Sequence, residues 1–140
     1  MSESEQRSVG EIRLTISNAI VRLQAEYYGK GPTKAKTYIA DDLVVCVLEE
    51  SFTRAEKTLV DRGEREAIQQ IRRRFQQQMA DEFISVVEQA TGRKVRTFLS
   101  ETNLEHDVSV EIFLLAEART DMAAFEQDAQ VVDPEPGSSA

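Results

Sequence analysis

Tryptophan is absent from the chain, and cysteine and histidine occur once each, as Cys46 and His106. A single cysteine excludes an internal disulfide. One cysteine with one histidine excludes a metal site of the usual His/Cys type. Cys46 lies in the apolar run Leu43 to Leu48 and reads as a small buried hydrophobe rather than a reactive thiol. His106 falls in a polar, turn-like stretch and reads as a solvated loop residue. No apolar run reaches the roughly 18 residues that a spanning helix needs, so no direct membrane span is expected. Met1 to Arg7 is polar and lacks the apolar stretch of a secretory signal, which points to a cytoplasmic location. Nucleophile-elbow and phosphate-loop motifs are missing, and no acid, base and nucleophile converge. The chain therefore reads as no enzyme, with no cofactor and no metal.

What is present suffices for one domain. Of 140 residues, 41% are apolar, enough for a real core. The net charge of −8 is unevenly spread. Residues 1–6 carry −2 and residues 117–140 carry −5, which leaves −1 on 7–116. A nearly neutral folded part argues against a dedicated nucleic-acid binder, which would present a basic surface. The expected organisation is a flexible N-terminus over 1–8, one domain over 9–116, and an acidic, largely disordered tail over 117–140. Within that tail, Met122 to Phe125 has the pattern of a loose helical turn.

Periodicity orders the elements. Val9, Ile12, Ile16, Ile20, Leu23 and Tyr27 recur at steps of three and four, predicting a helix over Val9 to Tyr28. Gly29, Gly31 and Pro32 form the structural turn that stops it. Lys34 to Ala40 and Leu43 to Leu48 read as a hairpin around Asp41-Asp42. Thr53 and Glu56 have capping-box spacing for a short helix to about Asp61. A long helix over Glu64 to Ala90 carries the stripe Ile68, Ile71, Phe75, Met79, Phe83 and Val87. Arg93 to Leu99 and Val108 to Leu114 read as a second hairpin, joined through Ser100 to Asp107. The stretches 34–39 and 94–99 match in kind at every position, which suggests two α-β-β halves. The expected fold is α+β: a two-layer α-β-β-α-α-β-β domain with a four-stranded, mainly antiparallel sheet and helices on one face.

Strand alternation then assigns faces. Ala35, Thr37, Ile39, Val95, Thr97 and Leu99 are expected to meet the helices, with Val108, Val110, Ile112 and Leu114. Lys36, Tyr38, Arg96, Phe98, Ser109, Glu111 and Phe113 are expected to face outward. Three readings of that mixed outward face stay open. The first is a homo-oligomer interface, a dimer being favoured, with Tyr38, Phe98 and Phe113 packing and Lys36 or Arg96 pairing with Glu111. The second is a platform for a small anion or nucleotide, held by Lys30, Lys36 and Arg96. The third is RNA stacking, against which the absent RNA-recognition consensus and the neutral core both speak. Arg72-Arg73-Arg74 reads as a solvated helix segment, since successive helical residues lie about 100° apart and share no surface.

Several blocks resemble a known family. They are Glu26-Tyr27-Tyr28-Gly29-Lys30-Gly31-Pro32, Lys36-Thr37-Tyr38-Ile39 with Asp42, Phe52-Thr53-Arg54-Ala55-Glu56-Lys57-Thr58-Leu59, and Thr91-Gly92-Arg93-Lys94-Val95. In this order they resemble the bacterial MpsC-like family over about residues 9–115. Family members often show arginine where this chain has Lys30 and Lys36, which keeps the charge but not the bidentate fork. The resemblance implies a cytosolic accessory or regulatory protein. It implies a link, in some bacteria, to a membrane system for inorganic-carbon (bicarbonate) uptake and cation translocation, so that a membrane transporter subunit is the expected partner. It carries no catalytic or binding residue onto this chain.

Overall fold

Ser8 opens the first helix through a reciprocal capping box. Its hydroxyl accepts from the Glu11 N–H, and the Glu11 carboxylate accepts from the Ser8 N–H. The computed structural model describes residues 8–117. The expected acidic tail and the Met122 to Phe125 turn lie outside the described residues, except for Glu117. Helix α1 spans Val9–Tyr28 and ends at Gly29, whose φ of 82° is a left-handed cap that glycine adopts without cost. Gly31 is required for a different reason. A Cβ there would lie 2.9 Å from the Val21 carbonyl oxygen, so any side chain would push the loop off α1.

Strands β1 (Lys34–Ala40) and β2 (Leu43–Glu49) form the first hairpin, turning through Asp41 at φ 53°. Thr53 and Glu56 form a second capping box at the start of α2 (Arg54–Asp61). Helix α3 spans Arg65–Thr91 and closes at Gly92. The second hairpin pairs β3 (Val95–Asn103) with β4 (Val108–Leu115). β3 thus runs on to Asn103, beyond the expected end at Leu99. The extension is stabilised by pairing Ser100, Glu101, Thr102 and Asn103 with β4 and by the Thr102–Ser109 hydroxyl bond.

The sheet order is β1-β2-β4-β3 with every neighbour antiparallel, so the second strands of the two hairpins meet at the centre. Three helices pack against this four-stranded sheet, and the fold is α+β as expected. The core lies between layers: Ile16 and Ile20 from α1, Met79, Phe83 and Val87 from α3, and Val44, Leu48, Phe113 and Leu115 from the sheet. Each such side chain removed from water stabilises the fold by about 1.5–3 kcal/mol.

The facing of the second hairpin differs from expectation. Phe113 and Glu111 are fully buried under the helices, and Phe98 packs in the same cluster. Phe98 stacks 4.9 Å from Phe113 and meets Phe83 edge-on at 6.2 Å. Ser109 is also buried. A register shift between Val95 and Thr97 is the cause on β3: Arg96 is the extra residue of a bulge, which sends Phe98 inward and Thr97 and Leu99 outward. On β4 the more apolar set, Val108, Val110, Ile112 and Leu114, faces outward, and Ser109, Glu111, Phe113 and Leu115 face the helices, the reverse of what hydrophobic alternation favours. Lys36 and Tyr38 face outward as expected, and Tyr38 is 49% exposed.

Candidate functional site

The outer sheet face is built in register rows. Tyr38, Val45, Ile112 and Leu99 form one row across the four strands, and Lys36, Val47, Val110 and Glu101 form the next. Leu43 and Leu114 continue the centre on one side. On the two central strands, Glu49 is the one polar outward residue. The face therefore has an apolar middle that Tyr38 and Leu99 extend to both edges, beside polar margins of Lys34 and Lys36 on the β1 edge and Glu101 and Asn103 on the β3 edge. The central side chains are partly exposed, and Leu99 is 54% exposed. No helix among the described residues covers this face, since the core cluster places α1 and α3 on the other side. A continuous exposed apolar patch with a polar rim is the usual mark of a contact surface.

The expected interface residues divide accordingly. Tyr38 lies on the outer face, whereas Phe98, Glu111 and Phe113 are interior. The expected cations do not converge. Lys30 donates to the Glu50 and Gly31 carbonyl oxygens and braces the loop after α1. Lys36 lies 5.1 Å from the Tyr38 ring centroid on one edge strand, and Arg96 stands exposed at the bulge on the opposite edge. Gly29, Gly31 and Pro32 form the turn as expected, with Pro32 buried.

A second constellation lies inside the domain, and sequence reasoning missed it. Arg72 is 2% exposed, not part of a solvated segment. Its Nε and Nη2 donate to the two oxygens of Glu56 at 2.8 and 2.6 Å, a bidentate ion pair. Nη2 also donates to the Ser51 carbonyl at 3.2 Å. The guanidinium carbon lies 4.1 Å from the Tyr28 ring centroid and 4.9 Å from that of Phe52. Burial would raise the Glu56 pKa, but hydrogen bonds from Arg72 and the Thr53 N–H, with the Arg72 charge, hold it below its ordinary value. Asp107, from the β3–β4 turn, accepts the Ser51 and Phe52 N–H groups at 3.0 and 3.1 Å. The β2–α2 connection is thereby tied to α3 and to the second hairpin. The available signal was spacing: Arg72 falls four residues after Ile68 and seven before Met79, on the buried stripe.

Glu111 occupies the inner face opposite Cys46 on β2 and Ser100 on β3. Neither carboxylate oxygen has a hydrogen-bond partner. Burial pushes its pKa up to about 8, against a smaller opposite pull from the Ser100 hydroxyl and the Arg72 charge. Burial likewise pushes the Cys46 thiol up to about 11 and the Tyr28 hydroxyl up to about 12. Thr37 bridges Ser17 on α1 at 2.7 Å and Cys46 at 3.4 Å, so this strip ties α1 to the sheet. Among the described residues no cluster of three or more His, Cys, Asp or Glu is placed to hold a metal ion. No helix among them is long and apolar enough to cross a membrane.

These features define a two-layer α+β domain with a closed polar interior and an open apolar sheet face. The family described as "Na+-translocating membrane potential-generating system (MpsC)" matches residues 8–117, most of the chain. The protein belongs to the MpsC family, the accessory proteins of that Na+-translocating system. No curated protein and no solved structure matches the chain.

Proposed function

We propose that this protein is a non-enzymatic, cytosolic accessory subunit that works by protein contact through its outer sheet face. The observation that carries the reading is the apolar centre of that face, from Leu43 and Val45 to Ile112 and Leu114, with no helix among the described residues upon it. The family's transport system makes a membrane inorganic-carbon or cation transporter the natural partner. The interior polar groups act in this reading as a brace that holds the sheet rigid for docking. An anion sensor built on Lys30, Lys36 and Arg96 gains no support, because those cations stand apart. RNA stacking gains none either, since Tyr38 is the one aromatic side chain on that face.

Affinity capture from the source cell tests the reading, with the full chain as bait beside Val45→Asp and Ile112→Asp. The expected result is recovery of a membrane cation- or bicarbonate-transport component by the native chain and its loss with both variants. Equal capture by native and variant baits would contradict it.

A further inference from the structure

The geometry points to a second copy of this chain as an occupant of the outer sheet face, stacked about a two-fold axis parallel to the strands. The inference rests on the contact reading above and goes beyond it: in the isolated chain a second copy covers the face, in a stated register, and a transporter component would have to displace it. Its basis is the charge arrangement across one row. Lys36 stands on the β1 edge and Glu101 on the β3 edge of the same row, with Val47 and Val110 between. Among the described residues neither forms an ion pair, since the salt bridges there join Arg72 to Glu56, Arg93 to Asp42 and Lys94 to Glu88.

A two-fold axis along the strands lays β1 of one copy over β3 of the other and keeps each row opposite itself. Lys36 of either copy then faces Glu101 of the other, twice per dimer. By the same operation Tyr38 faces Leu99, and Val45 faces Ile112. Leu43 likewise faces Leu114 and Val47 faces Val110, so the apolar centre meets itself as a self-complementary interface requires, while Glu49 falls opposite Val108 in the end row. This is the aligned class of sheet packing, with layers about 10 Å apart, a gap that a lysine and a glutamate together span. A two-fold axis across the strands instead lays β1 on β1 and β3 on β3, so that Lys36 never stands opposite Glu101. The edges themselves are unsuited to strand addition, since β1 carries Lys34 and Lys36 and β3 carries the Arg96 bulge.

Sedimentation of the full chain at low and moderate salt tests the arrangement, with circular dichroism confirming that each variant is folded. The native chain is expected to form dimers. Lys36→Glu and Glu101→Lys are each expected to raise the dimer dissociation constant roughly tenfold, and the double reversal to restore it. Added salt is expected to weaken the native dimer and erase the difference among variants. A native dimer that ignores both reversals but falls apart with Val45→Asp overturns this register while leaving the contact face intact. A native chain that stays monomeric overturns the second copy outright. The contact reading then stands or falls on the capture experiment.

Discussion

Glu111 is the residue whose energetics are most exposed to test. It is fully buried without a hydrogen bond, faced by Tyr28 from α1, Arg72 from α3, Cys46 from β2 and Ser100 from β3. Its folded pKa of about 8 lies above the ordinary 4.5, so the folded state holds a proton that the unfolded chain has released. That contribution to stability is complete below about 4.5 and is lost as pH rises through about 8. Glu111→Gln is expected to leave stability near pH 4.5 unchanged. At pH 8 it is expected to raise stability on the order of 1–3 kcal/mol, read by urea melts across the range. A wild-type profile that is flat from pH 5 to 8 would refute the assignment. Cys46 yields a simpler test. Buried and held neutral, it is expected to resist Ellman's reagent until the chain unfolds. Arg72→Met removes one partner of a buried pair and strands the Glu56 carboxylate. The expected cost is about 3–5 kcal/mol in denaturant melts, against under 1 kcal/mol for exposed Arg73→Met.

At the scale of elements, most of the fold was legible. Helix stripes, the Thr53–Glu56 cap, the Gly29 stop and the Asp41-Asp42 turn each carry a local signal, and each stands where it was expected. The second hairpin was not legible, for two physical reasons. A one-residue bulge at Arg96 leaves no mark in composition yet inverts every later residue of β3. On β4, Val108, Val110, Ile112 and Leu114 form a more apolar set than Ser109, Glu111 and Phe113, so hydrophobicity favours the wrong face. Of that polar set, Ser109 is paired with the Thr102 hydroxyl, whereas the Glu111 carboxyl is buried with no hydrogen-bond partner. Adjacent residues on β3 test this register. Phe98→Ser is expected to cost about 3–5 kcal/mol by emptying the ring cluster with Phe83 and Phe113. Leu99→Ser is expected to change stability by less than about 1 kcal/mol. Reversed costs would restore the original facing.

For the whole molecule, the corrected register strengthens the contact argument and moves it onto other residues. Phe98 and Phe113 leave the outer face, and Val45, Val47, Leu99, Val110 and Ile112 take their place. The face thus becomes more apolar than the sequence pattern suggested, with opposite charges at its margins. Helices on one side, an ion-paired interior and charged sheet edges together leave this surface as the natural place for association. That fits a family of accessory proteins.

Thiol labelling at Leu99→Cys reads the state of this face most directly, because buried Cys46 stays silent in the folded chain. The account predicts rapid modification of the cysteine in dilute isolated chain, and marked slowing as the chain is concentrated or bound to its captured partner. A labelling rate indifferent to both conditions would contradict the claim that the outer sheet face is where this protein makes contact.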